Sequence, residues 1–399
     1  MSQQLDQWKE RVCDRVDAER PALVDLSARI HAQPELRFEE HHAADWLSEY
    51  LEHQGFAVER RAFGLPTAFA ARLGRGQPTV ALLCEYDALP GIGHACGHNI
   101  IAAAGAGAGV ALTEVVRETG GSVLVLGTPA EEGGGGKILM GRAGAFAGVD
   151  AAMMVHPAGA DLVAMNVLAV TQMEVEYRGR AAHASAFPHR GINALDGLIT
   201  AYNAIAQLRQ HIAASERIHG IITDGGQAPN VVPERAAGLF YVRAPTQRRL
   251  ERLRERVLDC FQAGAVASGA TLNLRTVGED YSDMFTNQPL AATYAANLAR
   301  LGRTIEGLAA PSSGVAGSTD MGNVSKLVPA IHPMIAVSPP GVPLHSSDFA
   351  HWAASEQGHR AVIDGAKVLA MTAVDVLGQP ELLAAIRAAF AEDVAAEIK

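Results

Sequence analysis

Apolar residues recur along this 399-residue chain in two distinct rhythms. Residues 79–84, 122–126 and 151–155 are short runs that are apolar almost throughout, the pattern of strands buried on both faces of a parallel sheet. Elsewhere in this part the apolar positions fall three and four apart. Ala44, Leu47 and Leu51 do so within residues 39–54, which predicts a helix stopped by Gly55. Helices are also predicted over residues 6–32, 100–118 and 137–143, and a strand over 56–60. Such alternation predicts an open α/β sheet, whose ligands gather at the carboxyl ends of its strands.

Beyond about residue 165 the rhythm changes. Residues 171–177 alternate between apolar and polar, as in a strand with one wet face, and 191–213 read as a long amphipathic helix. Strands at 218–223, 237–243 and 271–277 and a helix at 248–264 complete a pair of helices on an antiparallel sheet. Residues 289–301 and 330–337 return to the first rhythm, and helices at 347–377 and 381–399 close it. The predicted organisation is a mixed, largely parallel α/β sheet flanked by helices, built from residues 1–168 and 285–399, with an α+β domain at 169–284 inserted in it.

Composition narrows the function. An apolar content of 48% with 19% charged residues describes a globular chain, not a disordered one. The net charge of −10, from 33 basic and 43 acidic residues, argues against a nucleic-acid footprint, which needs a concentrated basic face. Cys13, Cys84, Cys96 and Cys260 are too few and scattered for a disulfide framework, so a reducing compartment is expected. The N-terminus shows no basic region leading into an apolar one. The apolar stretch 100–112 is mostly Ala and Gly and shorter than the roughly 20 residues of a membrane span. It reads as a small-residue helix packed in a core, and a cytoplasmic location is expected.

The chemistry lies where the strand-like runs end. After the first, residues 85–98 carry Asp87, His94, Cys96 and His98. Cys96 and His98 stand two apart in a loop that Gly91, Gly93 and Gly97 allow to turn sharply, so both can face one cation. Thiolate and imidazole together suit zinc and its neighbours. His94 reads at least as readily as a hydrogen-bonding residue. After the second run come Glu131 and Glu132, ahead of four glycines. One carboxylate can bind metal while its neighbour reaches a water, and crowding raises a carboxyl pKa toward that of a general base and acid. The glycines before Lys137 do not make a phosphate loop, because Ile138 follows the lysine and no glycine stands at the required upstream spacing. After the third run comes His156, in Val-His-Pro. His345, in Pro-Leu-His-Ser-Ser-Asp, is a final candidate returning from the far end of the chain. His332 and His351 are its rivals, set aside because one interrupts a strand and the other belongs to a helix. Asp320, in Gly-Ser-Thr-Asp, either lines the site or caps the following turn.

Taken together these motifs resemble the dinuclear metallo-amidohydrolase and metallopeptidase family of aminoacylases, carboxypeptidases and indole-acetyl-amino-acid hydrolases. The resemblance spans nearly the whole chain, adding His-Ala-Gln-Pro-Glu35, Gly-Arg-Ala-Ala-His183-Ala and Pro-Asn230-Val-Val-Pro to the motifs above. The Cys-Gly-His loop points to the amidohydrolase branch. Glu85-Tyr-Asp, Asn99 and Gly-Ser-Thr-Asp320 look most like p-aminobenzoyl-glutamate hydrolase subunits and related dipeptidases. The resemblance implies a zinc-exopeptidase-like fold with an inserted lid and dimerisation domain, and a homodimer formed through it. It implies Cys96, His98, Glu132, His156 and His345 as ligands of two divalent ions, zinc or manganese with cobalt also able to serve. Glu131 would be general base and then acid, and Asp87 would orient a ligand. His183 would stabilise the oxyanion in the partner's site, and Asn230 and Arg243 would hold the substrate's backbone or carboxylate. The implied reaction is hydrolysis of an amide bond in an N-acyl or N-aroyl amino acid or a small dipeptide. Many members carry Asp where this chain has Asn99, a departure that bears on substrate more than on chemistry. The alternative is a non-catalytic or partner-dependent metal-binding subunit of a hetero-oligomeric hydrolase. A purely structural metal fits less well, since such sites are closed and four-coordinate, whereas five ligands beside a spare carboxylate describe an open one.

Overall fold

The computed structural model describes residues 2–305 and 316–398. The backbone divides into two compact units, Met1–Asn166 with Met284–Lys399, and Val167–Asp283.

In the first unit, helices α1 (Ser2–Ala32) and α2 (His41–His53) lead into an antiparallel pair, β1 (Ala57–Arg60) and β2 (Phe69–Gly74). β3 (Thr79–Cys84) is wholly buried because both its faces are covered. Val80, Leu82 and Cys84 belong to one apolar cluster, with Leu23 of α1, and Ala81 and Leu83 to another, with Leu124, Phe146 and Met154. α3 (His98–Ala111) follows, every residue buried. Its glycines permit the close packing: a Cβ on Gly109 would stand 2.4 Å from Val125 Cγ2. The helix expected over 100–118 breaks at Leu112, and α4 (Thr113–Thr119) leaves at 45°. Then come β4 (Ser122–Gly127), α5 (Gly136–Arg142), β5 (Ala151–Met153), β6 (His156–Ala158) and the two-residue β7 (Asn166–Val167).

The second unit is a four-stranded antiparallel sheet with two helices. Its elements are β8 (Ala169–Arg178), α6 (Ala194–Leu208), β9 (Arg217–Asp224), β10 (Arg235–Ala244), α7 (Gln247–Ser268) and β11 (Thr271–Thr276), in the sheet order β11-β8-β10-β9. α6 is shorter than the amphipathic pattern suggested. Asn193 caps its start, its side chain accepting from the N–H groups of Leu195 and Asp196. Tyr177, Phe240 and Phe261 fill the core, with the Tyr177 hydroxyl donating to the Phe261 carbonyl at 2.7 Å.

The chain then rejoins the first unit through α8 (Gln288–Arg300), β12 (Ala316–Gly317), α9 (Met321–Ser325), β13 (Ala330–Ile331), β14 (Met334–Ala336), α10 (Ser347–Ala353), α11 (Glu356–Gly378) and α12 (Pro380–Ile398). The main sheet runs β1-β2-β4-β3-β5-β13, parallel from β4 to β13 and antiparallel at the β1–β2 edge. The strand read from sequence at 330–337 is split, and the one read at 151–155 ends early. β5 stops at Met153 and β13 at Ile331, and the chain resumes as β6 and β14, which pair with each other. His156 therefore opens a new strand instead of ending the previous one. β2, with Arg72 and only short alternation, carried too weak a pattern to be read from sequence. No single helix among the described residues is long and apolar enough to cross a membrane.

Candidate metal centre

Four chain segments that follow strands build the centre. Between β3 and α3 the chain turns through Gly91, Gly93 and Gly97 with φ of 76°, 63° and 76°. Gly97 admits no side chain: a Cβ there would stand 2.8 Å from Pro157 Cγ. This tight approach brings Cys96 Sγ to 3.4 Å from His156 Nε2. His156 Nδ1 lies 2.8 Å from the Pro157 carbonyl, which makes it the protonated nitrogen and leaves Nε2 as the donor atom. His98 is oriented in the same way. Its Nδ1 is 3.0 Å from Asp87 Oδ1, and its Nε2 faces Glu85 Oε2 at 3.6 Å and Glu132 Oε1 at 3.9 Å. The other oxygen of Asp87 accepts the Glu132 N–H at 2.9 Å, so one carboxylate positions two candidate ligands. His345, at a φ of 61°, donates its backbone N–H to Ala95 and places Nε2 3.3 Å from Glu132 Oε1.

The donor atoms form three overlapping groups, each within 4.8 Å: Cys96, His98 and His156; Cys96, Glu132 and His345; His98, Glu131 and Glu132. All five sequence-derived ligand candidates and Glu131 are thus brought together. Two observations fit this set to cations. His98 Nε2 is buried without a hydrogen-bond partner while facing the carboxylates of Glu85 and Glu132, an arrangement that is costly unless something positive sits between them. Cys96, His98 and Glu132 each belong to two groups, as residues near two neighbouring ions would.

The electrostatics separate the two adjacent glutamates. Burial, then the charges of Glu85, Glu132 and Asp320, push the Glu131 carboxyl well above the carboxylate range. Burial also works to raise Glu132, but the His345 hydrogen bond and the charges of His98 and His345 outweigh it and hold Glu132 low. Burial pushes His156 down to about 4, with His98 adding to the effect, so its imidazole is neutral, as a ligand must be.

A buried ion cluster that sequence reasoning missed stands beside these groups. Lys137, fully buried, contacts Glu85 Oε1 and lies 2.7 Å from Asp320 Oδ1, while Asp320 Oδ2 accepts the Lys137 backbone N–H at 3.0 Å. Asp320 makes no capping bond to α9, so of its two sequence readings the cap fails. Spacing offered one hint: Glu85 and Asp87 stand two apart directly after β3, and both face the His98 ring. His332 is buried between β13 and β14 with its ring edge-on to His156 at 5.3 Å. His351 is exposed on α10. His94 is buried beside His31, rings 6.0 Å apart, and joins none of the donor groups.

In the second unit, His183 and Asn230 are neighbours. His183 bridges to Val231, and the Ala184 N–H bonds to the Asn230 carbonyl at 3.0 Å. Both side chains are exposed. Arg243 is at the other end of β10, its guanidinium 5.7 Å from the Tyr241 ring.

Fold and donor set define a metal-dependent hydrolase, and known proteins agree. Residues 169–268 match the model of a peptidase dimerisation domain. The chain is 39% identical over 402 residues to the Xaa-Arg dipeptidase of Mus musculus, an alignment covering 97% of this chain and 93% of that one. It is 37% identical over 283 residues to one of the subunits of the p-aminobenzoyl-glutamate hydrolase of Escherichia coli, covering 66% and 59%. A solved Bacillus subtilis dinuclear metal-binding peptidase of the M20 family superposes with a TM-score of 0.70 at 20% identity, over 90% of this chain and 99% of that one. The chain belongs to the M20 peptidase family. It is a metal-dependent amidohydrolase.

Proposed function

We propose that the enzyme hydrolyses small dipeptides and N-acyl or N-aroyl amino acids at a centre of two divalent ions held by Cys96, His98, Glu132, His156 and His345. Zinc or manganese suits this donor set, and cobalt also fits. Bound there, the ions would polarise the scissile carbonyl and acidify the attacking water. The chain's own residues move the proton. Glu131 takes it from the water as the C–O bond forms and delivers it to the departing nitrogen as the C–N bond breaks. The observation that carries this role is the position of Glu131: only 8% exposed, it shares a donor group with His98 and Glu132 while its carboxyl is pushed up. Asp87 keeps His98 in the ligating tautomer. His183 is assigned to the oxyanion in the partner subunit's site, and Asn230 and Arg243 to the substrate's backbone or carboxylate. The match of residues 169–268 to a dimerisation domain supports a homodimer formed through them.

The test combines metal analysis with hydrolysis of Xaa-Arg and other dipeptides, N-acyl amino acids and p-aminobenzoyl-glutamate, before and after chelation. About two ions per chain and chelator-sensitive release of an amino acid are expected. Glu131→Gln should keep the ions and lose turnover by roughly 10²–10⁴-fold. Near wild-type turnover in that variant would remove Glu131 from the mechanism, and a wild-type chain that takes up no metal would remove the centre.

A further inference from the structure

Glu131 sits in a loop whose backbone is unusual on both sides. Ala130, fully buried, has a φ of 59°, a left-handed conformation disfavoured for a residue with a Cβ. Its carbonyl accepts from Gly134 and Gly135 at 3.0 and 2.9 Å. Nothing bulkier fits further on, since a Cβ on Gly136 would stand 1.8 Å from the Pro129 carbonyl oxygen. The direction in which Glu131 points is set by this backbone, and two buried carboxylates hold it. Asp87 takes the N–H of Glu132, on one side of Glu131. On the other side the Ala130 N–H donates to Glu40 Oε1 at 2.9 Å. Glu40 is itself fully buried and fixed twice: its other oxygen accepts the Thr67 hydroxyl at 2.8 Å, and its backbone carbonyl starts α2.

The two anchors differ in what else they touch. Asp87 also holds His98, a ligand candidate, whereas Glu40 belongs to none of the donor groups. We propose that Glu40 is a positioning residue for catalysis, holding Ala130 in its left-handed conformation so that the Glu131 carboxylate is aimed at the attacking water. The inference rests on the role of Glu131 given above. It predicts a division of labour: the Asp87 side of the loop serves metal binding, and the Glu40 side serves proton transfer.

The experiment is steady-state kinetics with metal analysis of the holoenzyme on whichever dipeptide it hydrolyses. Glu40→Leu removes the acceptor while filling the space. A displacement of about 1 Å at a reacting group costs roughly 100-fold, so kcat should fall by about that factor with KM and metal content unchanged. Glu40→Gln should restore most of the loss, because its amide oxygen can accept from Ala130 and its amide nitrogen can donate to Thr67. Thr67→Val, a milder change that guards against misfolding of the leucine variant, should lower kcat several-fold with KM unchanged. Unaltered kcat in Glu40→Leu or in Thr67→Val would overturn the proposal. So would loss of metal in proportion to activity, or a Glu40→Gln variant as impaired as Glu40→Leu. An inactive Glu131→Gln beside a fully active Glu40→Leu would reject this inference alone. An active Glu131→Gln would reject the reading beneath it.

Discussion

Replacing Lys137 by Met isolates the buried ion cluster. Methionine is unbranched and close to lysine in length, so the change removes a charge and leaves little cavity. What remains is Glu85 and Asp320, both fully buried, without the ammonium that contacts the first and lies 2.7 Å from the second. Breaking a buried ion pair by removing one partner costs about 3–5 kcal/mol. At roughly 2–4 °C per kcal/mol for a large domain, the melting temperature should drop by about 10 °C. The loss should depend on pH. A carboxyl whose folded pKa is raised keeps its stability below the unfolded pKa and loses it as pH rises through the folded one, at about 1.4 kcal/mol for each tenfold change in its acid constant. Burial already pushes Asp320 up to about 6 against the opposing charge of Lys137, and without that charge it moves further in the same direction. Lys137→Met should therefore lag furthest behind wild type at pH 8 and approach it at pH 5, where Asp320 can take up a proton. Differential scanning calorimetry of both proteins at the two pH values measures this. A melting temperature within about 2 °C of wild type at pH 8 would refute the reasoning, as would a deficit that is larger at pH 5.

Two further outcomes follow from the geometry. Gly97→Ala forces a Cβ to within 2.8 Å of Pro157 at a φ of 76°, displacing the neighbours of His98 and His156; metal affinity should fall by at least about 10-fold, a factor typical of disturbing residues around a metal site. Chelator competition reads this, and an unchanged affinity would reject the claim that Gly97 sets the ligand geometry. Burial, then the charge of Asp87, pushes Glu40 up to about 7 from 4.5, so its contribution is present below pH 4.5 and lost as pH rises through about 7, a change of about 3 kcal/mol. In urea denaturation of the chelated protein, Glu40→Gln should lack that downward slope, and parallel curves for the two proteins would show that Glu40 does not cause it.

Much of the candidate centre was legible in the sequence because its residues lie on segments that follow apolar, strand-like runs. An apolar run, a glycine turn and a Cys-Gly-His triplet are local signals, and so are Glu131-Glu132 and Val-His-Pro. The change from buried runs to alternating strands was local too, and it separated the two kinds of sheet. What the sequence left open was long-range. Strand pairing decided that β5 and β13 stop together and that β6 and β14 start a second ladder, which places His156 and His332 ring to ring. Asp320 carried a helix-cap signal that a lysine 183 positions away overrode. Glu40 and Ala130, 90 positions apart, meet only when α2 packs beside the loop that carries Glu131. A buried charge must find a partner wherever the fold brings one, because leaving it unpaired costs more than any local preference supplies. The candidate ligands were thus written in short local motifs, whereas the partners that orient them were fixed by burial in the folded core.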